Sequence, residues 1–258
     1  MTTMNPDATG STGQAAASAP ESHDTVLAPV KVWDWPVRVF HWLAVACFAG
    51  AWLTAESERL HLVHITLGYT LGGLVAFRVL WGLLDTGHAR FANFVRSPAA
   101  AWRYISSLLG ERPLHYTGHN PAGALAIVAL LGLIGLTVGL GWATETERLP
   151  GWLDEGHELA ANALMALVVV HLVGVAVGSL RHRENLPRAM LTGLKRGLPG
   201  EGIRRQHGWL GALVLICALG FWAWQWHSAP VSPAQGGAEA HGLGGQSPTG
   251  GDGDDDDD

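Results

Sequence analysis

Five apolar stretches, near residues 37–55, 61–83, 121–142, 157–179 and 207–227, set the limits on how this chain can fold. A hydrocarbon core of roughly 30 Å is crossed by about 20 helical residues, and each stretch is long enough. Inside lipid every backbone N–H and C=O must find its partner within the segment, so each stretch is expected to be helical. The implied fold class is all-α, a transmembrane helical bundle. Apolar residues make up 48% of the chain and charged ones only 15%, with 12 Trp and 34 Gly. That balance suits membrane helices, whose interfaces favour Trp and whose contacts favour small residues. Between the second and third stretches, Pro98 to Leu109 reads as a short amphipathic helix on the membrane surface.

Basic residues give the bundle a direction. Of the chain's 16 Lys and Arg, 14 fall at one end of this arrangement. They are Lys31 and Arg38 at the entry to span one, Arg78 late in span two, and Arg90, Arg96, Arg103 and Arg112 in the loop between spans two and three. Arg181, Arg183, Arg188, Lys195, Arg196, Arg204 and Arg205 lie between spans four and five. The other two, Arg59 and Arg148, sit among Glu56, Glu58, Glu145, Glu147, Asp154 and Glu155. The excess of Lys and Arg in short cytoplasmic loops then puts the N-terminus inside the cell and the C-terminus outside. Residues 1–30, rich in Ala, Ser, Thr and Gly, are expected to be a disordered tail; they lack the pattern of a cleavable signal. The net charge of −6 owes much to Asp254–Asp258, and no basic domain points to nucleic acid. Cys47 and Cys217 lie inside apolar runs and belong to no Cys-x-x-Cys-His sequence, which argues against a disulfide framework and against covalently attached haem.

Histidine carries the chemistry. Twelve of the 13 sort by position: His23 and His241 fall in the tails, His88, His115, His119 and His182 in the basic loops, and His207 and His227 beside span five. All eight read as ordinary loop or headgroup-level residues. His41, His64, His157 and His171 instead lie within spans, where a histidine is costly and by default functional. His157 and His171 share span four, 14 residues apart. At about 100° and 1.5 Å per residue both rings face within about 40° of one direction, separated by about 21 Å. Chain direction then pairs the others by depth: His41 with His171 toward the basic end, His64 with His157 toward the acidic end. Two bis-imidazole sites stacked across the bilayer suit haem iron that transfers electrons and leaves no position open for oxygen. Arg38 lies three residues before His41, and Arg78 14 residues after His64, near the depth of the basic-end pair. Each either neutralises a haem propionate or snorkels to headgroups. Gly68, Gly72, Gly73, Gly174 and Gly178 either admit a macrocycle or serve helix packing alone.

A run of motifs in order completes the pattern. Val32-Trp33-Asp34-Trp35-Pro36-Val37-Arg38 leads into Phe40-His41-Trp42, followed by His64-Ile65-Thr66-Leu67-Gly68-Tyr69, Phe77-Arg78 and Trp81-Gly82. Then come His88-Ala89-Arg90-Phe91, Gly118-His119-Asn120-Pro121-Ala122-Gly123, His157-Glu158, His171 and His182-Arg183-Glu184-Asn185-Leu186. Across residues 31–198 the chain resembles the bacterial cytochrome b561 family, which includes the b-type cytochrome subunits of nickel–iron hydrogenases. The resemblance implies a four-helix core with two haems b, ligated from helices one, two and four at His41, His64, His157 and His171. This chain adds a fifth helix over 199–227 with its linker. A tail over 228–258 ends in Asp254–Asp258 and reads either as solvated chain or as a dock for a basic electron-transfer protein.

The expected activity is electron transfer across the inner membrane, between a periplasmic redox partner and the quinone pool. The partner is a hydrogenase, another oxidoreductase or a c-type cytochrome. A superoxide:quinone oxidoreductase is the alternative, disfavoured by the acidic outer loops, which would repel the anion. A histidine-based proton or metal transporter ranks lower, because the spans hold almost no carboxylate beyond Glu158.

Overall fold

The computed structural model describes residues 28–85, 88–111, 113–146 and 152–229. Eight helices and a two-stranded sheet follow in the order β1 (Ala28–Lys31), α1 (Trp35–Thr54), α2 (His61–Leu84), α3 (Phe91–Phe94), α4 (Pro98–Leu109), α5 (Pro121–Glu145), α6 (Trp152–His182), α7 (Leu186–Thr192), β2 (Leu194–Gly197) and α8 (Gly208–Ser228). A 3₁₀ turn, Glu58–Leu60, links α1 to α2. Five of the helices are long and apolar enough to cross a membrane, and they match the five expected spans. The surface helix expected over Pro98–Leu109 is α4. Residues 1–27 and 230–258, Arg112, Glu147 and Arg148, and the side chain of Asp154, for which the sequence carries expectations, lie outside the described residues.

Local sequence explains where the helices begin. Asp34, Ser97, Asn120 and Asn185 each precede a helix with Pro in its first turn, and each side chain accepts from a backbone N–H three residues on. This pairing of an Asx or Ser cap with an early Pro satisfies donors that the helix itself leaves orphaned. Outward faces are apolar, with Leu53, Leu83, Leu159, Val170 and Trp226 all exposed. Thr66, Thr70 and Arg78 are buried among the helices, as expected where lipid is the solvent.

The helices pack as a chain of neighbours: α1 on α2 and α8, α2 on α5, and α5 on α4 and α6. The fifth helix approaches α1 at Gly211, where a Cβ would come within 3.2 Å of the Trp35 main chain, and Trp222 Nε1 donates to Thr70 Oγ1 at 2.8 Å. Neither α1 nor α2 forms a substantial backbone packing contact with α6.

All the extramembrane structure among the described residues that is longer than one turn lies at the basic end. β1 and β2 pair antiparallel, Ala28 opposite Gly197 and Lys31 opposite Leu194. Residues 28–30, expected to belong to the disordered tail, are thus part of a strand. The pairing joins the approach to α1 with the segment after α7, a long-range contact that no local pattern signals. Val32 and Trp33 extend the junction by donating to Gly193 O.

Candidate functional site

His64 and His157 face each other across the gap between α2 and α6, with ring centroids 6.3 Å apart and planes at 75°. His64 Nδ1 lies 2.9 Å from Ala51 O on α1, and His157 Nδ1 lies 2.9 Å from Thr137 O on α5. A carbonyl only accepts, so each Nδ1 carries the proton and each Nε2 keeps a lone pair. That is how a ligating histidine is oriented and its tautomer fixed. The ring separation leaves room for one ion bonded to a nitrogen of each ring at about 2.0–2.1 Å. Gly141 on α5 makes the approach possible, because a Cβ there would sit 2.9 Å from His157 Cε1.

His41 and His171 come together at the basic end, close enough to interact electrostatically. His41 Nδ1 is buried without a hydrogen-bond partner. Arg38 donates to Leu191 O and lies over the Trp35 ring at 4.3 Å, yet its Nε is buried and unpartnered. The Arg78 guanidinium is 2% exposed, 4.9 Å from the Phe91 ring centre and 6.0 Å from that of Phe94, and its Nη1 also lacks a partner. Beside Gly68, one turn beyond His64, and Gly174, just beyond His171, a Cβ would meet nothing within 4 Å. At Gly72 and Gly178, by contrast, a Cβ would press to 3.0 Å from Val138 and 3.2 Å from Leu186.

These observations agree with haem as the group between the helices. α6 stands apart from α1 and α2, the acidic-end imidazoles face each other with a lone pair on each Nε2, and buried Arg78 and half-buried Arg38 each have an unused donor for an anionic group. Such a cofactor supplies one-electron chemistry at its iron, tuned by axial ligands and by hydrogen bonds around it.

The family model described as prokaryotic cytochrome b561 matches residues 32–193, well over half of the chain. The chain belongs to the prokaryotic cytochrome b561 family. Similar curated proteins are each called a probable Ni/Fe-hydrogenase B-type cytochrome subunit. That of Azotobacter chroococcum mcd 1 is 26% identical over 210 residues, covering 64% of this chain and 87% of the relative. That of Rhizobium leguminosarum bv. viciae is 23% identical over 207 residues (64% and 85%), and that of Rhodobacter capsulatus 22% over 213 (64% and 80%). No solved structure gives a significant match. The protein is accordingly a membrane b-type cytochrome, carrying haem b and transferring electrons. Within the b561 match fall all four intramembrane histidines; α8 lies beyond it.

Sequence reasoning passed over a second cluster at the basic end of this cytochrome. One ligating atom each from Asp34, Asp85 and His207 lie within 4.8 Å of one another. Asp34 Oδ1 accepts from Val37 N at 3.1 Å, and Oδ2 accepts from Trp81 Nε1 at 3.0 Å. Burial, opposed by those two hydrogen bonds, holds the Asp34 carboxyl above the usual carboxylate range, and the Asp85 charge adds to the rise. His119, read as a loop residue, is wedged between Trp33 and Phe94 with both ring centroids at 4.4 Å. Burial, then the charges of Arg78, His88 and Lys195, push its pKa down to about 3. Both His119 and His207 sit just outside a span in sequence, and only the folded cap carries them inward. The Trp-Asp-Trp-Pro start of α1 was the available sign, since it marks Asp34 as a helix cap.

Proposed function

We propose that this b561-family cytochrome carries two haems b, held by His41 with His171 and by His64 with His157. Through them it moves electrons across the inner membrane between a periplasmic redox protein and quinone. The reading rests chiefly on the His64–His157 pair, whose rings are 6.3 Å apart with both Nδ1 atoms turned to backbone carbonyls. The 14-residue spacing on α6 supports a second site about 21 Å further along the axis, at His41 and His171. Arg38 and Arg78 serve there as the counter-charges for propionates, supported by their unpartnered buried nitrogens. The relatives' names favour a hydrogenase as the electron donor; a different periplasmic oxidoreductase or a c-type cytochrome fits the same geometry.

In this reading the di-haem unit spans 31–198, and α8 braces α1 from the lipid side. The basic end faces the cytoplasm, and the N-terminus lies there. The acidic end, where Glu145 meets His61 at 3.3 Å, faces the periplasm. That acidity disfavours superoxide as donor.

A reduced-minus-oxidised spectrum of the purified protein, with a haem-to-protein ratio, tests the reading directly. Two haems b per chain are expected. A ratio of one, or the loss of a single common haem on replacing either His41 or His64, overturns the two-site assignment.

A further inference from the structure

The Asp34 cluster stands directly in line with the basic-end histidine pair. Asp34 caps α1 seven residues before His41. Seven helical steps turn within about 20° of two full turns and rise about 10 Å, so the carboxyl lies under the His41 face of the same helix. It is also next to water. A cavity of about 860 Å³ is lined by Asp34, Asp85 and His207 on its inner side and by exposed Arg96, Arg204 and Arg205 at its rim.

A carboxylate 5% exposed, with a second one 8% exposed beside it, needs a counter-charge. One comes from α2, where Arg78 is buried, has an unpartnered Nη1, and interacts electrostatically with both carboxylates. Another is available from the approach to α8, where His207 has a buried Nδ1 with no hydrogen-bond partner. On the far side Arg78, His88 and Lys195 all act on the buried His119, and Glu201 lies at the cavity rim. Two buried carboxylates this close oppose each other's ionisation, so the cluster is disposed to hold a proton. A buried arginine at this spot disfavours a metal cation as the ligand.

We propose that Asp34, together with Asp85 and His207, is a proton-accepting site whose affinity rises, drawing protons from the basic-end cavity, when one electron arrives at the His41–His171 end of the bundle. The inference rests on the reading that these two histidines hold a haem. One electron enters from the redox partner and, for a tenfold change in affinity, up to about half a proton enters from water, so the added charge is partly offset. The proton resides on the Asp34 carboxyl, shared with its two neighbours. The raised carboxyl of Asp34 agrees with this role. Across about 10 Å at an effective dielectric of about 20, a unit charge changes proton affinity by about tenfold.

The test is a spectroelectrochemical titration of the full-length protein in detergent from pH 5 to 9, alongside Asp34→Asn. Asparagine's single carbonyl oxygen keeps the helix cap on Val37 N, while its amide nitrogen takes the place of the oxygen that accepts from Trp81, so the substitution removes the charge and loses one hydrogen bond. In the native protein one of the two haem components should grow harder to reduce as pH rises, by about tenfold in reduced-to-oxidised ratio over the whole range. In Asp34→Asn that component should be flat and stay at its acid-side value, while the second is unaffected in both. A native-like slope in Asp34→Asn, or an equal slope in both components, overturns the proposal. Should Asp34→Asn fail to assemble, net proton uptake on reduction of the native protein in weak buffer, followed with a pH dye, decides it, and zero uptake refutes it. Absence of two haem components in the native protein would sink the ligand reading itself; normal haems with no pH response would sink only the proton site.

Discussion

The two ends of the bundle solve the same problem by different means. At the acidic end the paired imidazoles are oriented by main-chain carbonyls, Ala51 O and Thr137 O, and no described element beyond a single 3₁₀ turn covers them. At the basic end a sheet, α3, α4 and α7 form a cap, and the histidine pair is flanked by Arg38, Arg78 and the Asp34 cluster. His41 Nδ1 there has no hydrogen-bond partner. One site is set by helix packing and the other by charge. Substitutions of small residues should therefore damage the first, and substitutions of charged residues the second.

The largest effect expected is on the histidines proposed as ligands of the two haems. His157→Ala should remove one haem of two and stop transmembrane electron flow, while the second haem keeps its spectrum. His171→Ala should do the reverse. Low-temperature spectra of the two variants should be complementary; identical residual spectra would break the two-end picture. Next in size comes Arg78→Ala. Removing one partner from a buried ionic group costs about 3–5 kcal/mol, because the carboxylates of Asp34 and Asp85 remain buried. Thermal unfolding in detergent should fall accordingly, and Asp34→Asn in the same chain should recover part of the loss. If Arg78→Ala melts like the native protein, the cap does not depend on that charge.

Gly141→Ala probes the packed end with a smaller change. The new methyl would meet the His157 ring at 2.9–3.0 Å, tighter than that contact allows without movement. Overpacking of this kind costs about 1–3 kcal/mol. The acidic-end haem should lose occupancy or shift in potential while the basic-end haem does not move. An equal effect on both would mean that α5 braces the whole bundle and not one site.

Most of this architecture was legible in the sequence because a membrane enforces simple rules. Span length, the ends at Asp34, Asn120 and Asn185, and the depth of each histidine follow from hydropathy, caps and helix rise. The pairing of His64 with His157 needed only chain direction. What escaped was the cap. The β1–β2 pairing joins residues more than 160 apart, and four-residue strands carry too little periodicity to announce themselves. His119 looked like a loop residue and His207 like a headgroup-level one because burial beside Trp33, Trp81 and Phe94 arises from tertiary contacts alone. Hydropathy locates the spans, but it is silent on which loop residues fold back beneath them.

His119 offers the gentlest probe of that cap. In the folded protein its imidazole stays neutral down to about pH 3, held there by burial and by the nearby cations. In the unfolded chain it takes a proton near the ordinary histidine value of about 6.5. Between those values the unfolded state binds the extra proton, so stability is complete above about pH 6.5 and drains away as the pH falls. Going from pH 7 to pH 5 should cost about 1–2 kcal/mol from this residue alone. The raised carboxyl of Asp34 works in the opposite sense, gaining as the pH falls, so the informative quantity is the difference between variants. His119→Phe keeps a ring between Trp33 and Phe94 and has no proton to bind. Its melting temperature should fall less than that of the native protein between pH 7 and pH 5, with no change in the acidic-end haem. Equal acid sensitivity in both proteins would place the weak point of the cap elsewhere, and the Tyr104–His182 contact at 3.1 Å would be the next to test.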